Sequence, residues 1–286
     1  MFEKILFPTD FSEFAQRMLD CINEIPGVRE VVLLNIIDAT QYSIHGWTHE
    51  PERENAKLLM EEKKKFLEDR GLKAVTFVDA ITSGTMSQRI LEVADRENVS
   101  LTIMGTHQKT SMDTFLHGSV SYDLLHHMNT HVLIVRQNTP EYDGGNPPED
   151  TCPHLFSKVF VPVDFTDLSH EMLAFVRGMQ GLGELVLLHV VTEGETKQEI
   201  DQEITHATGE LAKIQKDLEQ AGFRVTVHVR VGNPVEKIEV LAEEEKVSLI
   251  LMGAHKKNWI EDFLQESIPF SVVRIAKKPV LLLRLG

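Results

Sequence analysis

Cysteine is scarce: the 286 residues hold two, Cys21 and Cys152, and no Cys-x-x-Cys pair. A disulfide framework is therefore not the basis of this fold, and a paired-thiolate zinc site is not expected. Positive charge is also in short supply. Lys plus Arg is 29 against 44 for Asp plus Glu, so the net charge is 29 − 44 = −15. Nucleic acid and anionic membrane surfaces need a basic footprint, so neither is expected as a partner. No apolar run reaches the roughly 18 residues of a membrane helix. The first ten residues, Met1-Phe2-Glu3-Lys4-Ile5-Leu6-Phe7-Pro8-Thr9-Asp10, read as a strand and not as a cleavable signal. A cytoplasmic location is the resulting expectation.

Several familiar motifs are missing too. There is no G-x-x-x-x-G-K-[ST] phosphate loop. Gly181-Leu182-Gly183 precedes a strand instead of following one, so it is no dinucleotide fingerprint. No H-E-x-x-H occurs. His126 and His127 are adjacent on one helix and point to different faces, which argues against a metal pair.

A duplication is present instead. Lys4-Ile5-Leu6-Phe7-Pro8-Thr9-Asp10-Phe11-Ser12 matches Lys158-Val159-Phe160-Val161-Pro162-Val163-Asp164-Phe165-Thr166, a shift of 158 − 4 = 154. Glu30–Ile37 matches Glu184–Val191 at the same shift. Val99–His107 then matches Val247–His255 at 247 − 99 = 148, and His131–Arg136 matches Pro279–Arg284 at 148 again. Copy two has thus lost 154 − 148 = 6 residues between its second strand and third helix. The join is rich in proline and glycine, including Pro140, Gly144, Gly145, Pro147, Pro148 and Pro153. The expected organisation is a first domain at 1–138, a linker at 139–156 and a second domain at 157–286.

Within each copy short apolar runs alternate with helical stripes. Runs near 3–8, 30–37, 73–79, 100–105 and 131–136 predict parallel strands covered on both faces. Phe14, Ala15, Met18, Leu19 and Ile22 form the first helical stripe. Ile200, Ile204, Ala207, Leu211, Ile214 and Leu218 form a long one in copy two, in steps of four and three. These stripes are read as faces packed on the sheet, with Cys21 as part of the first core face. The runs Glu61–Lys65 and Glu243–Lys246 are read as solvated helix surface. The fold class expected is α/β: two tandem, doubly wound, five-stranded parallel sheets with helices on both faces, Rossmann-like in plan.

Such sheets bind ligands beyond the carboxyl ends of the strands, where the strand order reverses. Asp10 sits there, before a helix that Ser12 is placed to cap. Two readings fit it: an acid favouring the helix dipole, or a carboxylate facing a ligand. Met104-Gly105-Thr106-His107-Gln108 closes the fourth strand, and Gly118-Ser119-Val120-Ser121 opens the last helix. Glycine lets backbone approach closely, and a helix N-terminus offers free N–H groups to an anion. A turn glycine followed by an N-cap serine fits the same residues.

The pattern resembles the universal stress protein family, in the α/β group related to adenine nucleotide alpha hydrolases. ATP-binding members carry Gly-x-x-Gly, nine residues, then Gly-Ser or Gly-Thr. Copy one has Gly105-x-x-Gln108, nine residues at 109–117, then Gly118-Ser119, along with Pro8-Thr9-Asp10 and the Met-Gly-x-His lead-in. Both copies together span nearly the whole chain, so the sequence looks like a tandem member.

The resemblance implies an adenine nucleotide, ATP, ADP or AMP, with Mg²⁺ or Mn²⁺ as a conceivable companion. It places Pro8, Thr9, Asp10 and Ile36 or Ile37 at adenine and ribose. It places Met104, Gly105, Thr106, His107, Gln108, Gly118, Ser119, Val120 and Ser121 around the phosphates. Gln108 departs from the family's second glycine, and its side chain either crowds a triphosphate or donates an amide hydrogen bond. Copy two departs further. Asp164, Val190, Gly253, His255 and Ser267 keep their places, but Lys256 and Glu266 stand where the family has glycine. A carboxylate and a Cβ there oppose phosphate, so a degenerate second site is expected.

No general base or nucleophile pair stands out, so a regulatory nucleotide-binding protein is expected before an enzyme, and at most a weak, metal-dependent ATPase. A nucleotide-free scaffold is the other reading. The resemblance also implies pairing through the last strands, 131–136 with 279–284, as a pseudo-dimer within one chain, and is compatible with a homodimer of chains.

Overall fold

The computed structural model describes residues 2–40, 50–107, 119–137, 154–192, 196–255 and 267–286, with the backbone alone at 106–107, 119–122 and 136–137. The chain divides into two units, Met1–Cys152 and Pro153–Gly286.

In unit 1 the apolar runs become β1 (Lys4–Pro8), β2 (Glu30–Asp38), β3 (Lys73–Ile81), β4 (Leu101–His107) and β5 (His131–Gln137). Between them lie α1 (Glu13–Asp20), α2 (Glu50–Glu68), α3 (Met86–Arg96) and α4 (Ser119–His127). The strand order is β3-β2-β1-β4-β5 and every pairing is parallel. Ile5 and Leu6 of β1 and Val31, Val32, Leu33 and Leu34 of β2 are all fully buried. Consecutive buried residues point to alternate faces, so both faces of this sheet are covered.

Unit 2 repeats the plan with β6 (Lys158–Pro162), α5 (Asp167–Arg177), β7 (Glu184–Val191), α6 (Lys197–Gln220), β8 (Arg224–Val231), α7 (Pro234–Glu244), β9 (Leu249–His255), α8 (Ile268–Ile275) and β10 (Val280–Leu285). Its order is β8-β7-β6-β9-β10, again parallel throughout. The chain is thus α/β, with two doubly wound five-stranded sheets. The apolar stripes face the sheets as their spacing requires: Phe14, Ala15, Met18 and Leu19 are buried on α1, and Ala207, Leu211 and Leu218 on α6.

Helix starts carry the expected chemistry. Ser12 caps α1, accepting from the Ala15 N–H at 3.1 Å. Thr85 and Gln88 form a capping box on α3, as do Thr196 and Glu199 on α6. Asn233 caps α7, with Pro234 in its first turn.

The duplication also reaches the opposite, amino-terminal end of the strands. Lys4 meets Glu97 at 3.0 Å and Glu30 at 3.2 Å, and its counterpart Lys158 meets Glu245 at 2.8 Å and Glu184 at 3.7 Å. Glu245 therefore departs from the reading of its run as solvated surface: it also meets His228 at 3.0 Å. Cys21 is buried as its place on the first stripe predicts. It packs in the core face but is disulfide-bonded, and the sequence holds one other cysteine, Cys152, which lies outside the described residues.

Candidate functional site

In unit 1 strand order reverses between β1 and β4, and the chain leaving β1 is held by backbone bonds. The Thr9 N–H donates to the Leu34 carbonyl at 2.8 Å, and Asn35 Nδ2 donates to the Thr9 carbonyl at 2.9 Å. Asp10 Oδ1 accepts from the Ser12 N–H at 3.0 Å. Phe11, between them, has φ of +61°, a left-handed conformation costly for a side chain of this size. Phe165 in unit 2 has the same φ. One strained loop is thus built twice, and each time it directs the chain from the strand end into a capped helix.

Beyond that loop unit 1 has a crevice of about 260 Å³. Pro8, Thr9, Asp10, Ile36, Met104 and Gly105 line it; Ile37 does not. The backbone of Thr106 and His107 ends β4, and Ser119, Val120 and Ser121 form the first turn of α4. Gln108 and Gly118 lie outside the described residues. Sequence reasoning missed Ile90 and Leu124, which line the crevice together with Met86, and above all Phe14. A Cβ added at Gly105 would lie 2.7 Å from Phe14 Cε1, so the ring rests on the glycine. Phe14 was assigned to the packing stripe, and it is 8% exposed. It belongs to that stripe and to the crevice at once, because α1 crosses the carboxyl end of β4.

Unit 2 has a crevice of about 740 Å³ at the same place. Asp164, Val190, Gly253, His255 and Ser267 line it, while Lys256 and Glu266 lie outside the described residues. The counterpart of Phe14 is Leu168, whose Cγ would stand 3.1 Å from a Cβ at Gly253. The two crevices thus differ in volume, that of unit 2 being the larger.

Asp164 is tied by its neighbours. Its Oδ1 accepts from the Thr166 N–H at 3.1 Å, the Thr166 hydroxyl at 2.6 Å and the Ser169 hydroxyl. Desolvation pushes this carboxyl up, but the Ser169 and Thr166 hydrogen bonds outweigh it and hold it below the usual carboxylate range. His189 Nδ1 lies 2.8 Å from the Val163 carbonyl. A carbonyl accepts only, so Nδ1 carries a proton and donates it to that oxygen. The ring stacks on Phe165 with centroids 4.3 Å apart. Among the described residues no three His, Cys, Asp or Glu side chains gather as metal ligands.

A doubly wound sheet with a crevice at its switch point, present twice, defines an α/β class whose members bind ligands at that place. Within that class the family model "Universal stress protein family" matches residues 1–136 and again 155–284, and the chain belongs to this family. The universal stress protein MJ0577 of Methanocaldococcus jannaschii is 31% identical over 155 residues, which cover 46% of this chain and 96% of that protein. The universal stress protein Slr1230 of Synechocystis is 34% identical over 45% of this chain and 42% of its own length. The crystal structure of a universal stress protein from Archaeoglobus fulgidus covers 100% of this chain and 98% of its own, at 25% identity and a TM-score of 0.72.

Proposed function

We propose that this protein binds an adenine nucleotide in unit 1 and acts through that binding as a regulatory module. The observation that carries the reading is the gathering of Pro8, Thr9, Asp10, Ile36 and Gly105 in one crevice at the switch point. The α4 helix begins at Ser119, directly after Gly118 in sequence. Free N–H groups at such a start, with the helix dipole behind them, suit a phosphate. In a chain of net charge −15 an anion is best held by local backbone donors. The corresponding positions in unit 2, Lys256 and Glu266, replace both glycines, so the triphosphate is assigned to unit 1. The proposed output is a change in the association or conformation of the protein, with no rapid turnover.

The test is to denature the purified protein, identify any released nucleotide, and titrate ATP, ADP and AMP by calorimetry. Heat from an adenine nucleotide that falls at least tenfold in affinity in Gly118→Glu supports the reading. No released nucleotide and no heat at millimolar ligand would overturn it.

A further inference from the structure

The strand order of unit 1 ends at β3, and that of unit 2 ends at the corresponding β8. Successive residues of a strand turn their N–H and C=O groups to opposite sides. In β3 the Lys73 N–H donates to the Arg29 carbonyl, and the Ile81 carbonyl accepts from the Ala39 N–H, both at 2.9 Å. The odd-numbered residues from Lys73 to Ile81 therefore face β2, and the backbone groups of Ala74, Thr76, Val78 and Ala80 face away from it. Among the described residues no hydrogen bond reaches those outward groups. The strand is nine residues long, holds no proline, and keeps an unbroken register on β2. An edge without proline or bulge is a template for another strand.

Unit 2 blocks the same edge. Lys73 and Arg224 hold equivalent places, opposite Glu30 and Glu184, a shift of 224 − 73 = 151. Gln215 Nε2 donates to the outward carbonyl of Val225 at 3.0 Å, and Arg230 Nη1 lies 3.5 Å from that of Val229. At the same shift unit 1 has Lys64 and Asp79. Lys64 turns to Glu61 at 3.9 Å and Asp79 to Arg89 at 2.8 Å, so neither covers the edge carbonyls.

The helix beside this edge fits a second copy of itself. Glu61 accepts from the Thr76 hydroxyl at 3.3 Å, which sets one side of α2 next to the edge. Glu54, Lys57 and Lys64 share that side at helical spacing, so the stripe alternates acid and base. A two-fold axis at Phe77 pairs Ala74 with Ala80 and Thr76 with Val78 of the second copy, in about eight backbone hydrogen bonds. It also lays the two α2 helices antiparallel on one face. Glu61 stands at Thr76, and one strand step spans about two helix residues, so the axis crosses α2 near residue 59. That centre brings Lys57 against Glu61 of the second copy, and Glu54 against Lys64, each pair of opposite charge.

We propose that the β3 edge of unit 1 is an association surface for a second copy of this chain, joined strand to strand and α2 to α2. The surface uses no residue lining either crevice, so it stands apart from the nucleotide reading.

Sedimentation equilibrium of the full chain is expected to give a mass approaching 2 × 32.4 = 64.8 kDa. Val78→Pro removes an N–H that faces away from β2, a change that edge strands tolerate, and should weaken association at least tenfold. Lys57→Glu with Lys64→Glu makes the stripe wholly acidic, and Glu54→Lys with Glu61→Lys makes it wholly basic. Each double variant alone should associate at least tenfold more weakly than the unaltered chain, and an equimolar mixture of the two should regain a mixed dimer. The four positions lie on the helix surface, so this arm decides the matter even where the proline variant fails to fold. A monomer at submillimolar protein overturns the proposal. So does a folded Val78→Pro protein that associates as before, or a mixture of the double variants that associates no better than each alone.

Discussion

Phe14→Leu tests how unit 1 is gated. The ring rests on Gly105 and is 8% exposed, and the crevice beside it is only about 260 Å³. A nucleotide that uses the close backbone approach at Gly105 must displace that ring. Moving a buried phenyl group into water costs about 1.5–3 kcal/mol, and each 1.4 kcal/mol is tenfold in affinity. On the proposed reading, the wild-type site is expected to bind ATP some ten- to a hundredfold more weakly than an open one. Leucine, the residue of unit 2 at position 168, is smaller and stands 3.1 Å from a Cβ at its glycine where Phe14 stands 2.7 Å, so less of the side chain has to move. ATP affinity measured by calorimetry should rise roughly tenfold in Phe14→Leu. The same change removes buried surface from the core face of α1. Stability should therefore fall by about 1 kcal/mol, with the melting temperature down by about 2–4 °C. Binding and stability are thus expected to move in opposite directions. A folded Phe14→Leu protein whose ATP affinity is unchanged or weaker would refute the gating argument.

Two further outcomes follow from single positions. A Cβ at Gly183 would lie 2.0 Å from the Ser157 carbonyl oxygen and 2.8 Å from its carbon, so Gly183→Ala must shift the backbone where β6 and β7 begin. It should cost about 2–4 kcal/mol in urea unfolding, and a loss under about 0.5 kcal/mol would show that the approach is looser than this. The carboxyl of Asp164 is held low in the folded protein by Ser169 and Thr166, so it stabilises the fold above its unfolded value of about 3.9. That contribution is lost as pH falls through the lower folded value. Asp164→Asn should be less stable at neutral pH and lose stability less steeply below about pH 4, and parallel acid unfolding curves for the two proteins would sink the assignment.

Much of the fold was legible because the signals are periodic and local. Val31-Val32-Leu33-Leu34 is apolar without alternation, which only a strand covered on both faces requires, and all four are fully buried. Ser12 and Asn233-Pro234 announce helix starts by their own side chains, and both helices start there. What escaped depends on contacts far apart in sequence. A positive φ at Phe11 and Phe165 has no signature in a phenylalanine, whose type argues against it. Glu245 sits in a run of acids, and only its ion pair with Lys158 at the start of β6 tells it from a solvated neighbour. Phe14 obeyed the helical period, yet where α1 crosses Gly105 was not written in that period.

The two copies differ most where the crevices are. The frame is held alike: Asn35 and His189, a shift of 154 apart, each tie the first loop to the second strand, through the Thr9 and the Val163 carbonyl. The ion clusters at the other end of the strands correspond residue for residue, Lys4, Glu30 and Glu97 with Lys158, Glu184 and Glu245. Inside the crevice Pro8, Asp10, Met104 and Gly105 still correspond to Pro162, Asp164, Met252 and Gly253, but two positions on the first helix do not. Phe14 becomes Leu168, which opens the floor, and Ala15 becomes Ser169, whose hydroxyl reaches Asp164 where a methyl group has nothing to donate to Asp10. Bulk at the first position and a donor at the second bear directly on what fits and on how the carboxylate is charged. Both substitutions leave the frame intact and change volume and hydrogen bonding at one place, so the two crevices differ in what they can hold and in how their carboxylate is charged.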